Sequence, residues 1–157
     1  MKYYKARWGV FLIIMSTLLT ALCLGEAAAE FWRHGVSTWV GWMLVAMVAG
    51  CALFSIHGYT ITPDAILIHR SGWSTRVALA GLLSARREWQ SPWRGIRIGN
   101  GGFFSFTGWR YSPALGFYRV FATNAADRVV LRFSTRTVVV SPSAPDDFVR
   151  ELAAASL

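Results

Sequence analysis

The distribution of hydrophobic and polar positions divides the chain into two parts that meet at about residue 57. Before this point there are two apolar runs without a formal charge, the first from Trp8 to Gly25 and the second from Gly35 to Ile56. A helix needs roughly 20 apolar residues to cross a bilayer core of about 30 Å. Because the segment that follows Ile56 is too short to surround two such helices, the runs predict a membrane-spanning α-helical hairpin, with helices at 8–25 and 35–56.

The charges that flank the two runs predict the topology of the hairpin. The basic tail at residues 1–7 carries a net charge of +3, the short loop at 26–34 carries −1, and the segment after Ile56 carries +6. By the positive-inside rule, both termini are expected in the cytoplasm and the loop outside. This is the pattern of a multi-pass inner-membrane protein. The basic start, the first apolar run and the alanines at 27–29 also resemble a secretory signal peptide, so cleavage of the first run remains an alternative.

After residue 57 the hydrophobic pattern changes to the period-two alternation of a β-sheet with one buried face. Ile66 and Ile68 fall on one face of a predicted strand, with Leu67 and His69 on the other. About seven short strands are followed by one amphipathic helix at about 144–155, whose apolar stripe includes Phe148 and Leu152. Residues 57–157 are therefore predicted to form a mainly-β, α+β domain whose sheet curls or forms two layers.

One stretch of this domain, from Gly99 to Asn124, combines five glycines with eight aromatic residues. Neither the GxxxxGK[ST] nor the GxGxxG phosphate-binding pattern is present. The glycines are therefore interpreted as sites of positive φ where strands bend. The aromatic residues are expected to fill the core; the main ones are Phe103, Phe104, Phe106, Trp109, Tyr111 and Phe117.

The residues of the domain resemble those of bacterial pleckstrin-homology-like (PH-like) domains. The segment YTITPDAILIHRSGWSTRVALAGL is similar to their opening strands, and the run from Gly99 through VVLRF and VVVSP resembles their later strands and closing helix. The resemblance implies a bent seven-stranded barrel or sandwich capped by a C-terminal helix, and many such proteins carry transmembrane helices on the N-terminal side. It does not imply inositol-lipid binding, because the first hairpin, at residues 62–65, lacks the basic cluster that this activity needs in the eukaryotic relatives.

The sequence contains no pattern typical of an enzyme, a metal site or a cofactor site. The three histidines are scattered, the carboxylates lie in turns or at a helix start, and GxSxG is absent. The two cysteines, Cys23 and Cys51, are expected near opposite ends of the hairpin, separated by roughly 20 Å of depth and therefore too far apart for a disulfide. A non-catalytic role is predicted, and nucleic acid is not expected as a partner of a membrane protein.

The strongest candidate contact surface lies in the segment RREWQSPWRGIR, where arginines alternate with tryptophans. Arginine pairs with phosphate and tryptophan prefers the headgroup level of a bilayer. The sequence thus predicts a membrane-anchored binding or scaffolding module that engages a protein partner at the cytoplasmic membrane face. Docking on anionic lipid headgroups is the alternative. The candidate contact residues are Arg86, Arg87, Trp89, Trp93, Arg94 and Arg97.

Overall fold

The computed structural model describes residues 2–88, 97–113 and 115–155, which contain three helices and ten strands. The elements in chain order are β1 (Lys2–Lys5), α1 (Val10–His34), α2 (Trp39–Leu53), β2 (Ile56–Ile61), β3 (Ala65–Arg70), β4 (Ser74–Ala78), β5 (Leu82–Glu88), β6 (Arg97–Gly101), β7 (Phe106–Ser112), β8 (Gly116–Ala122), β9 (Arg128–Phe133), β10 (Thr137–Val140) and α3 (Pro145–Ala155).

The strands form two sheets, whereas the resemblance implied a bent seven-stranded barrel or sandwich. A four-stranded antiparallel sheet has the order β1-β2-β3-β4, and a six-stranded sheet has the order β5-β9-β10-β8-β7-β6. In the larger sheet β10 runs parallel to β8, whereas the other neighbours are antiparallel. The two-layer alternative and the C-terminal helix agree with the prediction, but the strand count in the described part of the chain is higher.

Both faces of the larger sheet are buried over its central strands, because its residues alternate between two hydrophobic clusters. On β9, Leu131 packs in the cluster between the two sheets and α3, where Phe148 and Leu152 of the helix also lie. Its neighbour Val130 packs on the opposite face, in a cluster that includes Leu12 of α1. The start of α1 therefore covers part of the outer face of the sheet, and the helix belongs partly to the folded domain.

The strand β1 was not predicted, since residues 1–7 were expected to be a basic tail. Lys2 to Lys5 pair with β2 in antiparallel register, with Lys2 opposite Ile61 and Lys5 opposite Gly58. Tyr4 is buried and its ring meets Phe148 edge-on with centroids 5.1 Å apart. The segment before α1 thus lies in the same sheet as the segment that follows α2.

The two helices have different bounds from those predicted. Residues 26–34 were expected to form a loop, but α1 continues through them and has 25 residues in total. Glu30 and Arg33 form an ion pair one turn apart on the surface of the helix. In the described part of the chain, α1 is the one helix long and apolar enough to cross a membrane by length and composition. The second helix has 15 residues, or about 22 Å at 1.5 Å per residue, and is shorter than the apolar run that predicted it.

The longer α1 also changes the relation between the two cysteines. Cys23 lies about three turns before the end of α1 and Cys51 lies about three turns after the start of α2, so both are at a similar level of the antiparallel pair. Both thiols are free. The predicted depth separation of roughly 20 Å was wrong, because it assumed that the first helix ended at Gly25.

Where β6 and β7 lie side by side, the glycines of the stretch have the structural role that the sequence predicted. Gly99 and Gly108 face each other across β6 and β7, with φ of 126° and 142°. A Cβ on Gly99 would lie 2.5 Å from the carbonyl oxygen of Thr107, so a larger residue cannot occupy this position without moving the strand. The aromatic residues of the stretch behave differently from the prediction: Phe106 is buried, but Trp109 is 51% exposed and Phe117 is 68% exposed.

Candidate functional site

The structure separates the residues that the sequence placed in one arginine and tryptophan cluster. Arg86 and Arg87 lie on β5, and Arg97 begins β6. These two strands are opposite edges of the six-stranded sheet. Trp89, Trp93 and Arg94 lie outside the described residues. The described members of the cluster are therefore not on neighbouring strands.

Arg87 is held by two aspartates inside the domain. Its Nη1 lies 2.6 Å from Oδ2 of Asp146 in the first turn of α3, and its Nη2 lies 3.4 Å from Oδ1 of Asp127 before β9. The Arg87 side chain is 20% exposed. The guanidinium thus ties β5 to the loop before β9 and to the closing helix, which is a structural role.

Arg86 points away from this network. It is exposed and lines a shallow depression of about 240 Å³ on β5 and β9, together with Ser84, Glu88, Val130 and Arg132. Two guanidiniums and one carboxylate therefore share this outer surface, which is polar and open to solvent.

A second pair of arginines, which the sequence analysis did not single out, meets over the ring of Phe121. Arg70 ends β3 of the smaller sheet, and Arg119 lies on β8 of the larger sheet. The guanidinium carbon of Arg70 is 5.5 Å from the centroid of the Phe121 ring, and that of Arg119 is 4.8 Å from it. We call these two residues the Arg70–Arg119 pair. They are distant in the chain, and only the packing of the two sheets brings them together.

The Arg70–Arg119 pair has no carboxylate partner among the described residues. Burial lowers the pKa of Arg70 from its usual value, and the charge of Arg119 acts in the same direction. The side chain remains charged at neutral pH, because arginine does not lose its proton in proteins. Within the described part of the chain, Nε of Arg70 is buried without a hydrogen-bond partner. Two like charges therefore lie close together, and one of them retains an unused donor.

Hydrogen bonds to the end of α2 fix the position of Arg70. Nη1 of Arg70 donates to the carbonyl oxygen of Phe54 at 3.2 Å, and the hydroxyl of Ser71 donates to the carbonyl oxygen of Ala52 at 3.2 Å. The hydroxyl of Ser105, from the turn before β7, also donates to Phe54. These donors bind carbonyl oxygens at the end of the helix, and a cation is favourable at the negative end of the helix dipole. The pair therefore lies where the second helix enters the domain.

An apolar groove begins at the same place. It has a volume of about 760 Å³ and lies between the second half of α2 and the β6–β7 hairpin. Its walls include Met47, Gly50 and Cys51 of the helix, Phe54 directly after it, and Gly99 and Phe103 of the hairpin. Phe54 is shared with the Arg70–Arg119 pair, since its ring lies under the guanidinium of Arg70 and also contacts Trp73 with centroids 5.0 Å apart. The groove and the pair are thus continuous.

Beyond the groove, part of the larger sheet is not covered by the smaller one. Ile98 and Trp109 are opposite each other on β6 and β7, and Tyr111 and Phe117 are opposite each other on β7 and β8. All four side chains are exposed, Ile98 to 65%. We call these four residues the uncovered face. The aromatic residues expected in the core form a surface here, because the smaller sheet ends before it reaches β6 and β7.

The comparison with family models places the domain among known proteins. A model described as a bacterial PH domain matches residues 57–156, which is most of the chain. The chain belongs to the bacterial PH domain family. Comparisons with curated proteins and with solved structures gave no match. The resemblance of the sequence to bacterial PH-like domains is therefore confirmed. Such a domain is in general a non-catalytic binding module.

In this PH domain the first hairpin, which lies between β2 and β3, does not carry a basic cluster. Thr62 donates to Oδ1 of Asp64 at 3.0 Å, and Asp64 also pairs with Arg76. The hydrogen bond from Thr62, followed by the charge of Arg76, holds the pKa of Asp64 below its usual value. In the described ranges no three histidine, cysteine or acidic side chains converge as a metal site. The Arg70–Arg119 pair, rather than this hairpin, therefore brings two cations together at one place in the domain.

Proposed function

We propose that the protein is anchored in the cytoplasmic membrane by α1 and α2 and that its PH domain binds a protein partner at the cytoplasmic face, without catalysis. The observation that supports the anchoring best is the pairing of β1 with β2. Because β1 precedes the helices and β2 follows them, both ends of the helical pair must lie on the same side of a membrane. An apolar segment inserted between them therefore crosses twice or not at all.

Two further features favour the crossing. Trp32, Trp39 and Trp42 surround the tip of the helical pair and are exposed, as is typical of aromatic residues at a membrane interface. The excess of basic residues in the N-terminal segment and in the PH domain favours the cytoplasmic side for both ends by the positive-inside rule. Signal-peptide cleavage near residue 29 would remove β1 from its sheet, so the sheet argues for retention of the first helix.

Reporter fusions test the topology. A reporter at the C-terminus should behave as cytoplasmic, and one inserted at Gly35, in the turn between the helices, should behave as exported. An exported C-terminal reporter would contradict the orientation, and a cytoplasmic reporter at Gly35 would contradict the crossing.

The protein partner is assigned to the uncovered face. An exposed apolar patch next to an edge strand is a recurrent site for an extended peptide segment that adds to the sheet. In the described part of the chain, β6 pairs on one side with β7 and is the last strand of its sheet. We therefore propose a partner segment with apolar side chains at alternate positions, which would pack on Ile98 and Phe117.

Site-specific photocrosslinking in native membranes tests the partner site. A photoreactive residue at Phe117 or Tyr111 should give one discrete adduct, whereas the same residue at Leu83 should not. Leu83 is a matched control because it is 72% exposed but lies on β5, at the other edge of the sheet. The adduct at Tyr111 should disappear in the variant Ile98→Ser. Equal adducts at all three positions, or none at Phe117 and Tyr111, would contradict the assignment.

Docking on anionic lipid through Arg86 and its neighbours remains the second candidate. The observation in its favour is that Arg86 and Arg132 are exposed in one depression. Replacing Arg86, Arg94 and Arg97 by glutamine should then reduce the crosslinking of the full chain to anionic lipid in reconstituted vesicles, and unchanged crosslinking would contradict it.

A further inference from the structure

We infer that the Arg70–Arg119 pair holds the phosphate of an anionic glycerophospholipid, one of whose acyl chains lies in the groove between α2 and the β6–β7 hairpin. The inference rests on the membrane anchoring proposed above but is independent of the protein partner. It also concerns a different place from the first hairpin of the PH domain, where Asp64 contributes a negative charge.

The charges of the pair point to an anion. Two guanidiniums near one phenylalanine ring repel each other, and in the described residues no carboxylate compensates them. A phosphate that accepts from the guanidiniums of Arg70 and Arg119 would replace the repulsion by two attractions. Arginine is well suited to this task, because its planar fork matches phosphate oxygens.

The groove indicates that the anion belongs to a lipid. Its walls are mostly apolar, and its volume of about 760 Å³ falls within the range of sites that bury small ligands. A free phosphate ion would leave this apolar volume unused. Phe54 borders both parts, so a ligand with a charged group on the pair has its apolar portion beside α2.

The location agrees with the position of a headgroup. The pair lies at the C-terminal end of a helix that we place in the membrane, on the side of the folded domain. Trp73 and Trp109, which contact Arg70 and Arg119 at 5.7 Å and 5.8 Å, are partly exposed here. Tryptophan at the headgroup level and arginine beside it are typical of an interface with anionic lipid.

Native mass spectrometry of the full chain in neutral detergent tests the charged part of the site, with phosphatidylglycerol as the probe. The wild type should retain one phosphatidylglycerol and should bind phosphatidylcholine at least tenfold more weakly. The double variant Arg70→Gln, Arg119→Gln should lose phosphatidylglycerol affinity at least tenfold. The double variant Arg136→Gln, Arg150→Gln removes the same charge from exposed positions before β10 and on α3 and should retain the lipid.

A pair of glycine variants tests the groove. Gly50 lines the groove on α2, and Gly25 lies on the exposed surface of α1; a Cβ at either position would meet no heavy atom within 4 Å. Gly50→Leu should therefore fold normally, fill the groove and weaken phosphatidylglycerol binding several-fold. Gly25→Leu adds the same side chain elsewhere and should leave binding unchanged.

Several outcomes would overturn the inference. Equal retention of phosphatidylglycerol by the double variant and the wild type would exclude the pair. Competition by glycerol phosphate at the concentration of the lipid would show a site for free phosphate rather than lipid. Since loss of Arg70 could disturb the end of α2, the single variant Arg119→Gln at an exposed position supplies a second measurement. Unchanged binding in that variant, with a native circular dichroism spectrum, would also contradict the inference. The topology and crosslinking results remain separate, so a failure of the lipid site does not imply a failure of the proposed function.

Discussion

Arg87 and Arg70 are both partly buried guanidiniums near the end of a strand, but their neighbours differ in charge. Arg87 lies between Asp127 and Asp146, and its charge is used to join β5 to α3. Arg70 lies beside Arg119 and three aromatic rings. Its Nη1 donates to the carbonyl oxygen of Phe54 at the end of α2, where the helix dipole carries a partial negative charge. The first guanidinium is paired with two carboxylates of the fold, whereas the second has no carboxylate partner among the described residues.

The difference shows that proximity in the sequence is a poor guide to a cationic site. Arg86 and Arg87 are adjacent in the chain but project to different surroundings, because neighbouring residues of a strand alternate between its faces. Arg70 and Arg119 come from different sheets and meet over one ring. The positions of the aspartates decide which arginines are available to a ligand. These positions are known only once the chain is folded.

The largest expected effect comes from removing the arginine whose charge is already compensated. Arg87→Ala should lower the free energy of unfolding by about 2 kcal/mol, because it leaves Asp127 partly buried without its cation. Arg86→Ala removes an exposed neighbour and should change the free energy of unfolding by less than about 0.5 kcal/mol. Urea unfolding of the full chain in detergent, followed by tryptophan fluorescence, measures both. Equal effects of the two variants would remove the distinction between these arginines.

The next effect concerns the ring on which the Arg70–Arg119 pair rests. The hydroxyl of Tyr59 donates to the backbone carbonyl of Phe121 at 2.7 Å and accepts from the backbone nitrogen of Ser141 at 3.2 Å. Tyr59→Phe should therefore cost about 1–2 kcal/mol of stability at neutral pH. Burial raises the pKa of Tyr59 to about 12, so the folded protein keeps this proton longer than the unfolded chain.

The stability that this hydroxyl contributes is thus fully present below about pH 10, the pKa of tyrosine in the unfolded chain. It is lost as the pH rises toward about 12. The difference in melting temperature between the wild type and Tyr59→Phe should stay constant up to the lower of these values and shrink above it. Tyr111→Phe, at an exposed ring, is the matched control. A difference that stays independent of pH across this window would contradict the assignment.

A smaller effect of opposite sign is expected at the Arg70–Arg119 pair itself. Arg119→Glu places a carboxylate beside Arg70, so repulsion becomes attraction, and the free energy of unfolding should rise by about 0.5–1 kcal/mol in neutral detergent. The same variant should lose phosphatidylglycerol. Arg132→Glu, an equal charge change on exposed β9, should give no gain. If Arg119→Glu were destabilising, Arg70 would already have a partner that compensates its charge.

The smallest effect is expected at the more exposed partner of Arg87. Asp146 is 70% exposed, whereas Asp127 is 24% exposed and also accepts from Asn124 at 2.9 Å. Asp146→Asn should cost less than about 0.5 kcal/mol, because solvent screens the pair and Asp127 still holds the guanidinium. Asp127→Asn should cost roughly 1 kcal/mol. Urea unfolding of both variants measures the two losses of stability. A larger loss for Asp146→Asn would show that Asp146 contributes more than Asp127, against this prediction.

The local patterns of the domain were sufficient to predict some of its strands and its closing helix. The alternation of Ile66 and Ile68 with Leu67 places a strand at Ala65–Arg70, and the stripe of Phe148 and Leu152 marks α3. Such signals are local, because they depend on which side chains share a face. The same reasoning misplaced the end of α1, since it treated Glu26 and Arg33 as loop residues although a helix surface also accepts charges.

What the sequence could not supply depends on contacts between distant segments. The strand β1 is recognisable only through its partner β2, which follows after both helices. The exposure of Trp109 and Phe117 depends on where the smaller sheet ends, and the meeting of Arg70 with Arg119 depends on how the two sheets pack. No short window of sequence contains both members of any of these contacts. The PH-like domain with its C-terminal helix was thus predictable, but the candidate lipid site was not.

The pairing of β1 with β2 also has a consequence for the order of events during synthesis. Lys2 leaves the ribosome before its partner Ile61, which follows after a delay of roughly 3–12 s, at a synthesis rate of about 5–20 residues per second. In that interval the chain makes both apolar helices. If both cross a membrane as proposed, the ladder can close only after the second helix has returned the chain to the side of β1. A chain whose second helix failed to return could then not complete the four-stranded sheet. For the same reason, a domain expressed from residue 57 onward would lack one of its strands and leave the edge of β2 unpaired.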